Sequence, residues 1–189
     1  MAESQEFKPL AMVGTLSTSD TSELRFYVDE YRGYPYASIR TFVSRENYSG
    51  PTKAGITMNP EVLTKVIETL EQLPPEPQAS EDQELARIPR KTGLELVVRI
   101  TLYRDSTGVD MREWVDDGTY KGWSKRGVRI PYGDLKKSLE YLAEMLALLR
   151  EKSKSARAGT APQAKPAASP EKKPRGRKAS GEAPSEKAG

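Results

Sequence analysis

Residues 37–58 read ASIRTFVSRENYSGPTKAGITM, and residues 109–130 read VDMREWVDDGTYKGWSKRGVRI. Laid over each other with a shift of 72 residues, the two stretches need no gap. Arg40 falls on Arg112, Phe42-Val43 on Trp114-Val115, and Tyr48 and Gly50 on Tyr120 and Gly122. Lys53, Gly55 and Ile56 fall on Lys125, Gly127 and Val128. The register extends outward. Tyr31-Arg32 meets Tyr103-Arg104, and Leu63, Lys65, Glu68 and Leu70 meet Leu135, Lys137, Glu140 and Leu142. One register that carries glycines, aromatics and basic residues together marks an internal duplication. Two copies are too few for a solenoid, so two similar modules packed side by side are expected.

Each copy reads as strands closed by a helix. Leu24, Phe26 and Val28 alternate with Arg25, Tyr27 and Asp29, the period of a half-buried strand. Leu96, Val98, Ile100 and Leu102 repeat that pattern. Gly33-Tyr34-Pro35 and Asp105 to Gly108 read as turns. In the next strand Ala37, Ile39 and Val43 fill one face, which leaves Ser38, Arg40 and Phe42 on the other. A turn at Asn47–Gly50 leads to a short strand ending at Met58, or at Ile130 in the second copy. A strand near Leu10–Thr18 precedes the first copy; its counterpart lies near Leu85–Arg90. Asn59 suits a helix cap, Pro60 the first helical position and Glu61 the positive end of the dipole. Leu63, Val66, Ile67, Leu70 and Leu73 then form an apolar stripe that Pro74-Pro75 ends. Leu135, Leu139, Leu142, Leu146 and Leu149 repeat the stripe, widened by Tyr141, Met145 and Leu148. That surplus of apolar surface calls for helix-to-helix contact between the copies or with another chain.

Composition narrows the chemistry. The chain has neither cysteine nor histidine, which excludes disulfides, thiolate metal sites and the commonest general base. No metal or cofactor is expected. Met1–Phe7 lacks a basic stretch followed by an apolar run, and no run approaches the roughly 20 apolar residues of a membrane helix. The expectation is an intracellular protein without a membrane partner, in the cytoplasm or nucleoid, or in the nucleus of a eukaryote. The net charge is +3, but residues 151–189 carry ten basic and four acidic residues, so residues 1–150 are net negative. A nucleic-acid interface on the folded part must therefore be a local patch.

The polar strand faces offer such a patch. Alternation puts Arg40 beside Phe42, and Asp110 and Arg112 beside Trp114, on an outer face. Tyr31-Arg32 and Tyr103-Arg104 repeat the aromatic-basic pairing at the end of the preceding strand. An exposed ring beside a cation is what a base-stacking platform needs. The competing reading is that these rings brace the sheet or pack on the sister module. Lys53-Ala54-Gly55 and Lys125-Arg126-Gly127 are placed in a strand-opening loop, where glycine permits close approach and the cations reach phosphate. A solvated turn lysine is the alternative there.

These residues resemble the positive-cofactor-four family of transcriptional coactivators, whose conserved domain binds single-stranded DNA. The family pattern is a hydrophobic–Arg–acidic–aromatic strand, an acidic-glycine turn, a basic-Lys-Gly-Ile-Ser-Leu stretch, then Asn-Pro-Glu opening a helix. Ile39-Arg40-Thr41-Phe42 and Thr52 to Glu61 match it in copy one. Asp110 to Trp114, Asp116-Asp117-Gly118 and Lys125 to Ile130 match it in copy two. The resemblance implies an α+β fold of two modules, each a curved four-stranded antiparallel sheet followed by one helix. It also implies that the helices pair the modules, here as a pseudo-dimer within one chain, with further oligomerisation open. Carried over by position, the family's aromatic-basic pair falls on Tyr31-Arg32 and Tyr103-Arg104. Its strand arginine falls on Arg40 and Arg112, and its basic pair before glycine on Lys53-Ala54 and Lys125-Arg126. Ala54 replaces a basic residue, and Val43 and Val115 stand where the family often has a second aromatic. Residues 1–72 also carry seven basic against ten acidic residues, so copy two is expected to dominate binding.

The expected organisation is a module at 8–73, a linker at 74–82, a module at 83–152 and a tail at 153–189. The tail, rich in Ala, Pro, Lys, Ser and Gly, reads as disordered. Within it Lys172-Lys173-Pro174-Arg175-Gly176-Arg177-Lys178 resembles an AT-hook, in which Arg175, Gly176 and Arg177 would lie in an A·T minor groove. The alternative is a generic basic tail that binds polyanions by counterion release. The expected partners are single-stranded DNA, with RNA as a second ligand, duplex DNA through the tail, and the transcription machinery. Against this stand two other classes. One is a protein-interaction or dimerisation module whose sheet meets a partner, with the tail tethering nucleic acid. The other is a carboxylate-metal nuclease using Asp110, Asp116 and Asp117. It is disfavoured because copy one has Ser44-Arg45-Glu46 there and a hairpin turn explains Asp116-Asp117-Gly118.

Overall fold

A computed structural model describes residues 8–158. Four strands come first: β1 (Ala11–Ser19), β2 (Ser22–Tyr31), β3 (Tyr34–Arg45) and β4 (Tyr48–Met58), followed by α1 (Pro60–Glu71). The second copy repeats the series as β5 (Gln83–Lys91), β6 (Leu94–Tyr103), β7 (Ser106–Asp116) and β8 (Lys121–Pro131). A short 3-10 turn at Tyr132–Asp134 then leads into α2 (Leu135–Ala158). The two four-stranded sheets are antiparallel meanders, β1-β2-β3-β4 and β5-β6-β7-β8. No helix among the described residues is long and apolar enough to cross a membrane.

Local chemistry explains the element ends. The Asn59 side chain accepts from the Val62 N–H at 2.9 Å, and Pro60 opens α1. The hairpin tips are two-residue turns. Arg32 (φ 53°) and Gly33 (φ 81°) join β2 to β3, and Arg104 (φ 48°) and Asp105 (φ 59°) join β6 to β7. Both central residues are left-handed, the turn that matches the twist of paired strands. This corrects the expected turns at Gly33-Tyr34-Pro35 and at Asp105–Gly108. Tyr34 and Pro35 already pair with Tyr31 and Glu30, and Ser106 and Thr107 with Tyr103 and Leu102.

The two modules share one core. It runs through Leu24, Phe26 and Ile39, the α1 stripe of Leu63, Val66 and Leu70, then Leu96, Val98, Met111, Leu142 and Met145. α1 packs on α2, as the surplus apolar helix surface requires. α2 also leaves its own sheet and crosses β1, β2 and β3 of the first module, while α1 reaches β5. The Tyr141 ring lies 5.3 Å from that of Phe26, over Gly14, where any Cβ would come within 2.3 Å of the tyrosine ring. Edge strands β4 and β8 lie side by side between the sheets. The arrangement is a pseudo-dimer inside one chain. α2 continues past the expected boundary at 152 to Ala158, because the stretch after Leu149 is rich in alanine, lysine and arginine, good helix formers.

Candidate nucleic-acid interface

The helices cover one face of each sheet and leave the other outward. On β2 and β3 the register places Glu23 opposite Phe42, Arg25 opposite Arg40, and Tyr31 opposite Tyr34. On β6 and β7 it places Glu95 opposite Trp114, Val97 opposite Arg112, and Tyr103 opposite Ser106.

The hairpin tips carry exposed rings. Tyr31 is 63% exposed, Tyr34 77% and Tyr103 60%. The guanidinium of Arg32 lies 5.2 Å from the Tyr31 ring, and that of Arg104 lies 5.2 Å from Tyr103. The two tips thus repeat one geometry, fixed by turn residues that throw each arginine back over its tyrosine.

The middle of the face differs from its sequence reading. Phe42 is only 4% exposed, and Arg25 lays its guanidinium over it, 4.0 Å from the ring centroid. Glu23 holds that arginine at 2.6 Å. Trp114 is half-buried, with its ring centroid 4.8 Å from that of Trp123 on β8 and the two rings edge to face. Asp110, placed on the exposed face by alternation, is buried beneath Arg99 and Arg112, which pair with it at 3.1 and 3.2 Å. Alternation identifies the face; the long arginines of neighbouring strands decide what on it remains open.

The Lys53-Ala54-Gly55 and Lys125-Arg126-Gly127 motifs lie inside β4 and β8, not in loops. A bulge opposite the Arg40–Phe42 and Arg112–Trp114 steps accounts for their exposure. The Thr52 hydroxyl donates to the Thr41 carbonyl at 3.0 Å and accepts from the Ala54 N–H at 3.1 Å. Ser124 accepts from the Arg126 N–H at 2.9 Å in the same place. The bulge turns Lys53, Lys125 and Arg126 outward, with no ion-pair partner among the described residues. The glycine after each motif makes room for an arginine. A Cβ at Gly55 would stand 3.2 Å from the Arg40 Cγ, and one at Gly127 2.9 Å from the Arg112 Cγ. Arg40 donates to the Thr52 carbonyl at 3.2 Å.

Several residues were not read as part of the interface. Tyr34 would have been found by placing the turn at Arg32-Gly33. Tyr48 and Tyr120 fold back over Gly50 and Gly122, and their hydroxyls donate to the carbonyls of Pro51 and Trp123. The recurring Tyr-x-Gly is therefore a turn clasp. Tyr36, partly buried beside Asp29, has its phenol held above the ordinary pKa, first by burial and then by the carboxylate, and stays a proton donor. The hydrogen bonds that Arg87 donates to Glu84 and Glu95 raise its pKa.

The three carboxylates of the nuclease reading are engaged separately. Asp110 serves two arginines, Asp116 pairs with Lys121 at 2.9 Å, and Asp117 accepts from Thr119 and Tyr120 in the β7–β8 turn. No metal-binding cluster of acidic residues occurs among the described residues. Arg175, Gly176 and Arg177 lie outside the described residues.

The described residues thus form two meander-plus-helix modules, each with an exposed aromatic-basic pair at the tip of its second hairpin. Residues 19–69 match the family model described as Transcriptional Coactivator p15 (PC4). Among solved structures the chain is similar to the plant transcriptional regulator PBF-2, at 7% identity and a TM-score of 0.42, covering 81% of this chain and 90% of that one. It is also similar to WHY3 from Arabidopsis thaliana, at 10% identity and a TM-score of 0.40, covering 77% and 92%. WHY1 from the same plant gives 12% identity and a TM-score of 0.40, covering 84% and 100%. No curated protein sequence matches the chain.

Proposed function

We propose that this protein binds single-stranded nucleic acid, DNA first and RNA second, without catalysing a reaction, and acts in transcription regulation or DNA maintenance. The carrying observation is the pair of hairpin tips: an exposed tyrosine under a stacked arginine at Tyr31-Arg32, repeated at Tyr103-Arg104. Tyrosine offers a π-face to a base, and the arginine a cation to the adjoining phosphate. Lys53, Lys125 and Arg126 extend the positive track along β4 and β8, and Arg40 and Arg112 lie beside it. Along β6, Tyr103 stands eight residues from the register partner of Trp114, roughly 26 Å at about 3.3 Å per residue, so a strand of several nucleotides can run between them. The basic tail, with Arg175, Gly176 and Arg177, would add duplex binding. The transcription machinery is the proposed protein partner. The protein would reside with its target, in the nucleoid or the nucleus.

The test is fluorescence anisotropy with a labelled single strand, its duplex and the equivalent RNA, across a salt series. Single-strand binding that weakens with salt, and weakens further in the Tyr31→Ala/Tyr103→Ala protein, is expected. Unchanged affinity in that variant would instead favour the protein-interaction reading.

A further inference from the structure

Two clefts occupy equivalent places in the modules. One lies between the β1–β2 and β3–β4 turns, the other between the β5–β6 and β7–β8 turns. They measure about 520 and about 540 Å³, with Phe42 lining the first and Trp114 the second. The strand register equates Glu23 with Glu95 but sets Arg25 against Val97. That exchange makes the floors of the clefts unlike. In the first module Arg25 lies on the Phe42 ring and closes it off. In the second, Val97 carries no cation to do so. The guanidinium over Trp114 comes from Arg87 on β5 and stands 5.5 Å from the ring. Glu84, at 2.7 and 2.9 Å, and Glu95, at 3.0 Å, tie that arginine back.

The rims differ in charge as well. Lys91 and Lys121 line the Trp114 cleft, and the repeat puts Ser19 and Ser49 at the same places around Phe42. Lys91 has no ion-pair partner among the described residues. The pair of Lys121 with Asp116 is highly exposed on both sides, so it holds the ammonium weakly against a competing phosphate.

We propose that the cleft over Trp114 seats one nucleotide of the bound strand, with the base against the indole and its phosphate on Lys91 and Lys121, while in the cleft over Phe42 Arg25 covers the ring that a base would need. This rests on the single-strand reading above and adds which module seats a base in its cleft, and how. The covering of the Phe42 ring arises from a single position, Arg25 where the second module has Val97, so exchanging that position tests it.

The experiment uses the full chain carrying Trp123→Phe, which leaves Trp114 as the only tryptophan. An oligothymidylate of about ten nucleotides, within the usual site size, is titrated while emission and the anisotropy of a labelled copy are followed together. Emission is expected to fall in step with binding. Lys91→Ala with Lys121→Ala should lower the salt slope by about two, one for each phosphate contact. In a second chain Trp114→Phe and Trp123→Phe are combined with Phe42→Trp, the residue the other module has at that register position. Its emission should ignore the oligonucleotide until Arg25→Val is added, and then be quenched. If anisotropy reports binding that Tyr103→Ala weakens, yet Trp114 emission and the salt slope do not move, the cleft seat is overturned and the single-strand reading stands. Quenching in the Phe42→Trp chain with Arg25 still present overturns the covering of that ring by Arg25. If the wild-type chain binds no oligonucleotide by anisotropy, the single-strand reading falls and the seat falls with it.

Discussion

Asp110 shows how far a single side chain can depart from its place in a pattern. It sits on the outward face of β7, yet Arg99 and Arg112 cover it. Asp110→Asn would leave two partly buried guanidinia without their counter-charge, and is expected to cost about 1–3 kcal/mol in urea unfolding. Trp114 and Tyr103 divide differently. Tyr103 is exposed at a turn, so Tyr103→Ala should cost about 1–3 kcal/mol of single-strand affinity and leave the melting temperature unchanged. Trp114 also packs on Trp123, so Trp114→Ala should lose affinity and, in addition, the about 0.5–1.5 kcal/mol of an aromatic pair from stability. Calorimetry beside binding isotherms separates the two; a stable Trp114→Ala protein would contradict the packing. Asp117 has its pKa lowered, first by the Thr119 hydroxyl and then by the Tyr120 and Thr119 N–H groups. A lowered folded pKa means that the turn's contribution is present above the ordinary carboxylate value, about 4, and is lost as pH falls through the lower folded value. An NMR titration of the Asp117 carboxyl should show the depression, and Thr119→Val should reduce it.

At the scale of elements, the contact between β1 and α2 joins the two halves. Gly14 is open because the Tyr141 ring occupies the space where a side chain would stand. Gly14→Val should push Tyr141 off Phe26 and destabilise the chain by about 1–3 kcal/mol, the usual cost of overpacking. Adding Tyr141→Ala should recover part of that loss in a double-mutant cycle, since the two changes share one space. Strictly additive losses would show that the clash is relieved elsewhere. The bulges in β4 and β8 belong to the same scale. Thr52 and Ser124 satisfy backbone groups that the extra residue would strand, and so keep the adjoining lysines turned outward. The sequence motif showed the basic residues and the glycine. It did not show that they lie within a strand, because a bulge has no periodicity of its own.

For the whole molecule, one core spans both sheets and both helices, so the modules should unfold together. Both tryptophans lie in the second module, which makes the check direct. Their emission and the far-ultraviolet circular dichroism of the whole chain should give coincident urea transitions. Separate midpoints would mean that each module carries its own stability. Removal of residues 159–189, which spares α2, is expected to weaken duplex binding and lower the salt slope while leaving the preference for single strands. Loss of single-strand binding in that truncation would move the main site off the sheets.

The repeat, most of the strands and both helices were legible in the residues themselves, because each rests on local pattern: alternation along strands, the Asn59-Pro60-Glu61 start and the leucine stripes; the antiparallel sheet came only from the family resemblance. The pairing of the helices could be inferred from apolar surface that one sheet alone cannot absorb. What covers each outward residue was not legible. Phe42 and Trp114 occupy one register position, yet one is sealed by Arg25 and the other is not, because the covering group comes from a neighbouring strand. The space at Gly14 is likewise filled from a helix more than a hundred residues later in the chain. Alternation and capping are short-range and act through a residue's own backbone, so the sequence alone determines them. Burial of a given side chain depends on atoms that only the tertiary structure brings within a few ångströms.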